Sequence, residues 1–126
     1  MAKRKQVRFE YIIRSTPTIL FEFLSEPAEL GQWFADKVME DKGLFTFEWD
    51  SYPEVAELIE WTENEKVKFL WLDRNNEFME FQIQITDITH ETVLIITDYC
   101  DEKGEKDLKL LWDQQIKTLV SRIGGR

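Results

Sequence analysis

The chain has 126 residues, 43% hydrophobic and 33% charged, with only five Gly and three Pro; this excludes a disordered or fibrous chain and predicts one globular domain over residues 1–126. Four of the 16 basic residues, Lys3, Arg4, Lys5 and Arg8, precede Phe9 and no acidic residue does, so the body of the chain is more acidic than the net charge of −9 suggests. Such a surface repels nucleic acid and anionic lipid, and the basic tip reads as a solvated end.

Val7 to Arg14 alternates, with Val7, Phe9, Tyr11 and Ile13 in phase, and predicts a strand. Ser15-Thr16-Pro17 stops it and opens a helix presenting Ile19, Leu20, Phe23 and Leu24, with Ser15 or Thr16 as cap. Ser25-Glu26-Pro27 breaks that helix, and Ser25 is placed to cap a second short one running through Gln32, Trp33 and Phe34. A short strand follows over Asp36 to Glu40, then a turn at Asp41-Lys42-Gly43. Leu44 to Trp49 sets Phe45, Phe47 and Trp49 on one face. Val55 to Trp61 is read with Val55, Ile59 and Trp61 in phase, a face that also takes in Glu57. Val67, Phe69 and Trp71 share a face of the next strand; Met79, Phe81, Ile83 and Ile85 share a face of Phe78 to Ile88; and Thr92 to Tyr99 is the last strand.

Glu105 to Ile123 carries Leu108, Leu111, Trp112, Ile116, Leu119, Val120 and Ile123 at helical spacing. Such a helix is roughly 28 Å long, enough to cross a small domain. Glu105 and Asp107 near its start and Arg122 near its end suit the helix dipole, and Gly124-Gly125 stops it. The short links between successive strands imply hairpins. The predicted class is therefore α+β: a curved antiparallel sheet of about six or seven strands, two short helices after the first strand, and a long C-terminal helix across the sheet.

One cysteine, Cys100, cannot form an internal disulfide and suits a reducing compartment. The N-terminus lacks the apolar core of a secretory signal, and no apolar run approaches the roughly 20 residues of a membrane span. The expected location is the cytoplasm, with no membrane insertion and no nucleic-acid partner.

The strings Tyr11-Ile-Ile-Arg-Ser-Thr-Pro17, Leu30-Gly-Gln-Trp-Phe-Ala-Asp36, Phe45-Thr-Phe-Glu-Trp49, Ile96-Thr-Asp98 and Leu111-Trp-Asp-Gln-Gln-Ile116, in this element order, resemble the START-like or helix-grip (SRPBCC) superfamily. They look most like a small bacterial START-like family of the kind common in Bacteroidetes, near the heat-shock ATPase activator-like branch. The resemblance covers nearly the whole chain. It implies a hydrophobic or amphipathic small molecule, lipid-like or aromatic, held between sheet and C-terminal helix. Fold alone does not transmit function.

On the strand phases above, Phe45, Phe47, Trp49, Trp61, Phe69, Trp71 and Phe81 line the concave sheet face, Trp112 and Ile116 look down from the helix, and Trp33 and Phe34 sit at the cavity mouth. Either these rings line an apolar pocket with indole N–H groups for orientation, or they fill the core. The first reading makes the chain a non-enzymatic binding protein. The second makes it a protein-interaction or co-chaperone-like module with a protein partner.

Glu57, if it points inward, is a polar anchor or acid that Arg14 could pair with; a bulge would turn it out. His90 in a Thr-His-Glu turn and Cys100 beside Asp98, Asp101 and Glu102 are poor places for acid–base or thiolate chemistry. One His, one Cys, and no HExxH, CxxC or EF-hand loop offer no metal site. No phosphate loop or nucleophile elbow is visible. No catalytic residue, metal or cofactor is assigned.

Overall fold

In the computed structural model, which describes residues 3–124, the elements follow the expected order: β1 (Arg4–Ile13), α1 (Pro17–Ser25), α2 (Pro27–Trp33), β2 (Lys37–Asp41), β3 (Leu44–Trp49), β4 (Tyr52–Thr62), β5 (Lys66–Trp71), β6 (Phe78–Ile85), β7 (Thr92–Asp101) and α3 (Glu105–Gly124). The seven strands form one antiparallel sheet in the order β1-β7-β6-β5-β4-β3-β2. Every step from β2 to β7 is a hairpin between neighbours. The last strand then inserts beside the first, which brings the start of β1 to the start of α3.

The turns make the hairpins tight. Lys42 and Gly43 both have positive φ between β2 and β3, as do Asp50 and Ser51 between β3 and β4. Such pairs match the twist of the flanking strands. The Asp50 N–H donates to Asp36 Oδ2 at 2.8 Å, which ties the second turn to the entry of β2.

Thr16 caps α1, accepting from the Ile19 N–H at 3.2 Å, with Pro17 at the first helical position. Ser25 does not cap α2. Its hydroxyl donates back to the Phe21 carbonyl at 2.7 Å, and Glu26 holds the cap position with no side-chain bond. α2 starts instead on Pro27, whose ring presets the helical φ and whose missing N–H needs no partner there.

The basic tip is not a frayed end. Arg4 donates to both oxygens of Glu77 at 2.8 Å and to Asp101 at 3.0 Å, and Lys5 pairs with Glu105 at 2.8 Å. The Glu102 N–H donates to the Lys3 carbonyl at 2.8 Å. β1 is an edge strand, and these contacts fasten its outer end to β7, to the start of β6 and to α3. Hydrogen bonds from Arg4 hold the Glu77 carboxyl below the usual range against the opposing effect of its burial.

α3 lies across the concave face of the sheet, but its buried stripe is narrower than the sequence suggests. Trp112, Ile116 and Leu119 are buried, and Leu108 and Ile123 pack partly against the core. Leu111 and Val120 stay half exposed. At 100° per residue they sit on the flanks of the stripe, beyond the reach of the sheet. Gly125, predicted as part of the helix stop, lies outside the described residues.

β4 departs most from the expected phase. Ala56 and Leu58 face the core opposite Trp71 and Phe69, while Val55 and Glu57 face out. A β-bulge between Leu58 and Glu60 then resets the phase, so that Trp61 faces inward opposite Val67. The expected strand phase is therefore corrected for Val55 and Glu57, and Trp61 reaches the concave side only because of the bulge. β6 ends at Ile85 rather than Ile88, and β7 runs on to Asp101, which places Cys100 inside the strand.

Trp112 fixes α3 to the sheet. It is 3% exposed, its ring contacts Trp33, Phe34 and Phe81, and its N–H donates to Asp98 Oδ2 at 2.9 Å. Replacing it with Ala should cost about 3–5 kcal/mol, as deleting large aromatics from packed cores does. Urea unfolding measures this; a loss under about 1 kcal/mol would mean that the ring is not packed.

Candidate functional site

The depth of the sheet–helix interior is filled. Phe34, at the C-cap of α2, stacks on Trp112 at 5.8 Å and meets Phe47 edge-on at 5.2 Å. Phe81 meets Trp112 edge-on at 5.9 Å, and Trp33 meets Phe81 at 5.8 Å. Phe45, Phe47 and Phe69 interlock below. Backbone geometry holds this plug in place. Trp33 donates to the Phe23 carbonyl at 2.7 Å, and Trp49 donates to the Phe34 carbonyl at 2.8 Å. Gln115 from α3 reaches the same Phe34 carbonyl at 3.3 Å.

A cleft of about 410 Å³ remains beside the plug, where the first turns of α3 lift away from β5, β6 and β7. That volume lies in the lower half of the usual range for small-molecule sites. Its walls are mainly apolar: Phe34, Trp49, Trp71, Met79 and Trp112, with Leu108 and Leu111 as the helix lip. Glu54, Arg74, Asp98 and Gln115 supply its polar side chains.

Asp98 is the polar centre. In β7 it follows Leu94 and Ile96 on the inward phase. Its Oδ2 accepts from Trp112, and its Oδ1 accepts from the Tyr99 backbone N–H at 2.8 Å. Burial pushes its carboxyl above the usual range. The two N–H donors and the more distant Arg74 pull the other way without reversing the shift. No ion pair joins Asp98 to any described residue.

Trp71 is the second unusual group. It is 5% exposed, and its Nε1 has no hydrogen-bond partner among the described residues. The indoles of Trp33, Trp49 and Trp112 all donate. Leaving a buried donor unpaired costs about 1–3 kcal/mol. Over the Trp71 ring lies the Arg74 guanidinium, 4.7 Å from its centroid. Arg74 is held there by a hydrogen-bonded ion pair with Glu54.

The expected site residues therefore divide. Phe34, Trp49, Trp71 and Trp112 meet at the cleft. Trp33, Phe45, Phe47, Phe69, Phe81 and Ile116 are core. Trp61 sits at the other end of the sheet, 54% exposed, edge-on to Phe21 of α1 at 5.5 Å. Glu57 is exposed on the outer face, because the bulge comes after it rather than before. Arg14 follows β1, and β7, β6 and β5 separate that strand from β4, so the two form no pair.

His90 is exposed in a turn with φ 57°. Burial, more than the neighbouring acids, pushes the Cys100 thiol up and away from thiolate chemistry.

Asp98, Glu54, Arg74 and Met79 were not among the expected site residues. For Asp98 a signal existed: within the expected strand Thr92 to Tyr99 it is in phase with Leu94 and Ile96, which face inward.

A larger hollow of about 590 Å³ opens near Pro17, Thr62, Gln82 and Ile85. It is polar, and Lys66 within it is already paired with Glu60 at 3.2 Å and Glu80 at 3.6 Å. It combines no apolar wall with an unpaired buried group.

The architecture agrees with what the chain is similar to. The family model for the START-like superfamily domain matches residues 1–125. The chain belongs to the START-like superfamily. A Bacteroides fragilis protein, BfR322, solved by NMR, is 32% identical over 94% of this chain and 90% of its own, with a TM-score of 0.68. The Aha1 dimer from Colwellia psychrerythraea superposes with a TM-score of 0.78 at 11% identity, over 94% of this chain and 96% of that one. DynU16, a protein of the dynemicin biosynthetic locus, gives 0.75 at 16% identity, over 94% of this chain and 47% of that one. These last two likenesses show the fold alone. Among curated proteins none matches in sequence.

Two predictions test the placement of the acids. A carboxyl whose folded-state pKa is raised adds stability at acid pH that is lost as pH rises from the unfolded value, about 3.9, through the folded one. Asp98→Asn keeps an acceptor for Trp112 and removes that loss, while its NH2 faces the Tyr99 N–H at a cost that does not depend on pH. Relative to the wild type, the variant should gain stability as pH rises from 4 to 7, measured by urea midpoints across pH. A pH-independent difference would contradict the burial of Asp98. Glu57→Ala should change stability by no more than about 0.5 kcal/mol, as for an exposed side chain; a larger loss would place Glu57 inside.

Proposed function

We propose that this START-like domain is a cytoplasmic, non-enzymatic binding protein that holds a small amphipathic molecule in the cleft between α3 and β5–β7. The carrying observation is an apolar cleft of about 410 Å³ beside the buried Trp71 N–H, which has no acceptor among the described residues. A ligand with an apolar body would cover Leu108 and Leu111, and a hydrogen-bond acceptor on it would relieve that N–H once the Arg74 side chain over the Trp71 ring moves aside. The depth of the fold is taken up by Phe34 and its neighbours, so the ligand is smaller than one filling the whole sheet–helix interior.

No Ser, Cys, His or Lys lines the cleft, and its two carboxylates are held by Arg74 and by the Trp112 and Tyr99 N–H groups; this supports a receptor rather than an enzyme. The Arg74 guanidinium is in turn held by Glu54. No described helix is long and apolar enough to cross a membrane.

A second reading, a protein-interaction module with a filled core, is favoured by a different face. Met39, Leu44 and Leu72, on the outer side of β2, β3 and the end of β5, are each more than 40% exposed. A protein covering them would explain that exposure. The cleft carries the first reading further, because an apolar patch has no buried polar group that asks for a partner.

Native mass spectrometry of the protein purified from its own host, followed by organic extraction, tests the proposal. A stoichiometric small molecule is expected, lost on filling the cleft mouth with Leu111→Trp. A bare mass, with no response of Trp fluorescence to aromatic or lipid-like probes, would leave the interaction module as the better reading.

A further inference from the structure

Resting on the cleft as the binding site, we infer that its ligand is an organic cation, a protonated amine on an apolar or aromatic body, with Asp98 as its counter-charge. The charges of the cleft lead to this. Arg74 is neutralised by Glu54, and Glu77 by Arg4. Asp98 alone faces the cleft with no ion-pair partner among the described residues, held by the two neutral N–H donors of Trp112 and Tyr99. A buried carboxylate without a counter-charge is unfavourable, and a cationic group brought by the ligand removes the penalty.

The surroundings suit a cation rather than an anion. Aromatic rings attract a cation to their faces, and Phe34, Trp49, Trp71 and Trp112 wall the cleft. The Trp71 face already carries one cation, the Arg74 guanidinium. The chain's net charge of −9 draws cations in and keeps anions away.

Distances across the sheet give the ligand a shape. Trp71 is on β5, Met79 on β6 and Asp98 on β7. Met79 and Asp98 each lie one residue beyond the Glu80–Thr97 pair, so they are neighbours. Met79 is opposite Phe69, so Trp71 lies two residues further along β5; with strands about 4.8 Å apart and about 3.4 Å per residue, the Trp71 and Asp98 backbones are separated by roughly 12 Å. The apolar body lies against Leu108 and Leu111, the ammonium sits at Asp98, and an oxygen at the other end accepts from Trp71 once the Arg74 side chain over its ring moves aside.

Binding then depends on pH through the carboxylate. The charged groups that act on Asp98 are Arg74 and Glu77, both from the link between β5 and β6. β1 faces it with Val7, and the cleft-facing α3 residues Leu108, Leu111, Trp112 and Gln115 carry no charge. Protonating Asp98 removes the counter-charge, so affinity for the cation falls as pH drops.

The test uses three probes with one naphthyl body: 2-(2-naphthyl)ethylamine, 2-(2-naphthyl)ethanol and 3-(2-naphthyl)propanoate. They are titrated at pH 7 against the full chain and Asp98→Asn, with calorimetry for affinity and the ¹⁵N-indole signals of Trp71 and Trp112 for location. The amine should bind at least about 10-fold more tightly than the alcohol, and Asp98→Asn should bring the two within about 2-fold. An alcohol that binds as well as the amine, a carboxylate that binds best, or an amine preference surviving in Asp98→Asn would overturn the inference while leaving the cleft as a binding site. If no probe moves the Trp71 and Trp112 indole signals, the cleft reading falls, and this inference with it.

Discussion

The indole of Trp112 must enter an apolar interior and still satisfy its N–H, and much of the site follows from how it does so. A buried N–H without an acceptor is costly. The acceptor here is Asp98, on the strand beneath the helix. That choice fixes the rotation of α3 over the sheet, because ring and N–H must reach Phe34 and Asp98 together. It also transfers the problem: one donor is satisfied by burying a carboxyl, and the carboxyl is left without a cation. The polar centre of the cleft is thus a by-product of docking the helix.

Phe34 sets the other boundary. Its carbonyl accepts from Trp49 and Gln115, and its ring is stacked under Trp112. The α2–β2 corner therefore acts as a stopper, fastened from the sheet and from the helix. A START-like fold can enclose a deep cavity; in this chain the aromatic residues that could have lined one occupy it. What remains open is the end of the groove where the side chains of α3 shorten to Leu108 and Leu111 and the β5–β6 turn brings Arg74 to the rim.

The element order, the hairpins, the two proline-started helices and the inner faces of β3, β5 and β6 were legible in the sequence, because period-two alternation with large rings is a strong signal. β4 was not. Its core residues, Ala56 and Leu58, are smaller than Trp61, so the largest ring pulled the reading into the wrong phase, and a bulge leaves no mark in a hydrophobicity pattern. For α3, seven apolar residues at helical spacing overstated the buried stripe, because the sheet covers only the sector around Trp112, Ile116 and Leu119.

The site was half legible. Four of its rings were expected, while Asp98 was noted in the Ile96-Thr-Asp98 string and as an acid near Cys100 but not placed in the site. The unpaired N–H of Trp71 could not be foreseen, since pairing is a property of neighbours: the same residue type finds a carbonyl at positions 33 and 49 and none at position 71.

The claim that the interior is plugged and only the outer cleft is open has a direct measurement, a methyl ¹H–¹³C spectrum under xenon pressure. Xenon enters apolar voids that stay dry. The account predicts shifts for Leu108, Leu111 and Met79 at the cleft, with Ile116 and Leu119 unmoved. Shifts at Ile116 and Leu119 of equal size would show an open cavity beneath the helix, and would contradict the plug formed by Phe34 and Trp112.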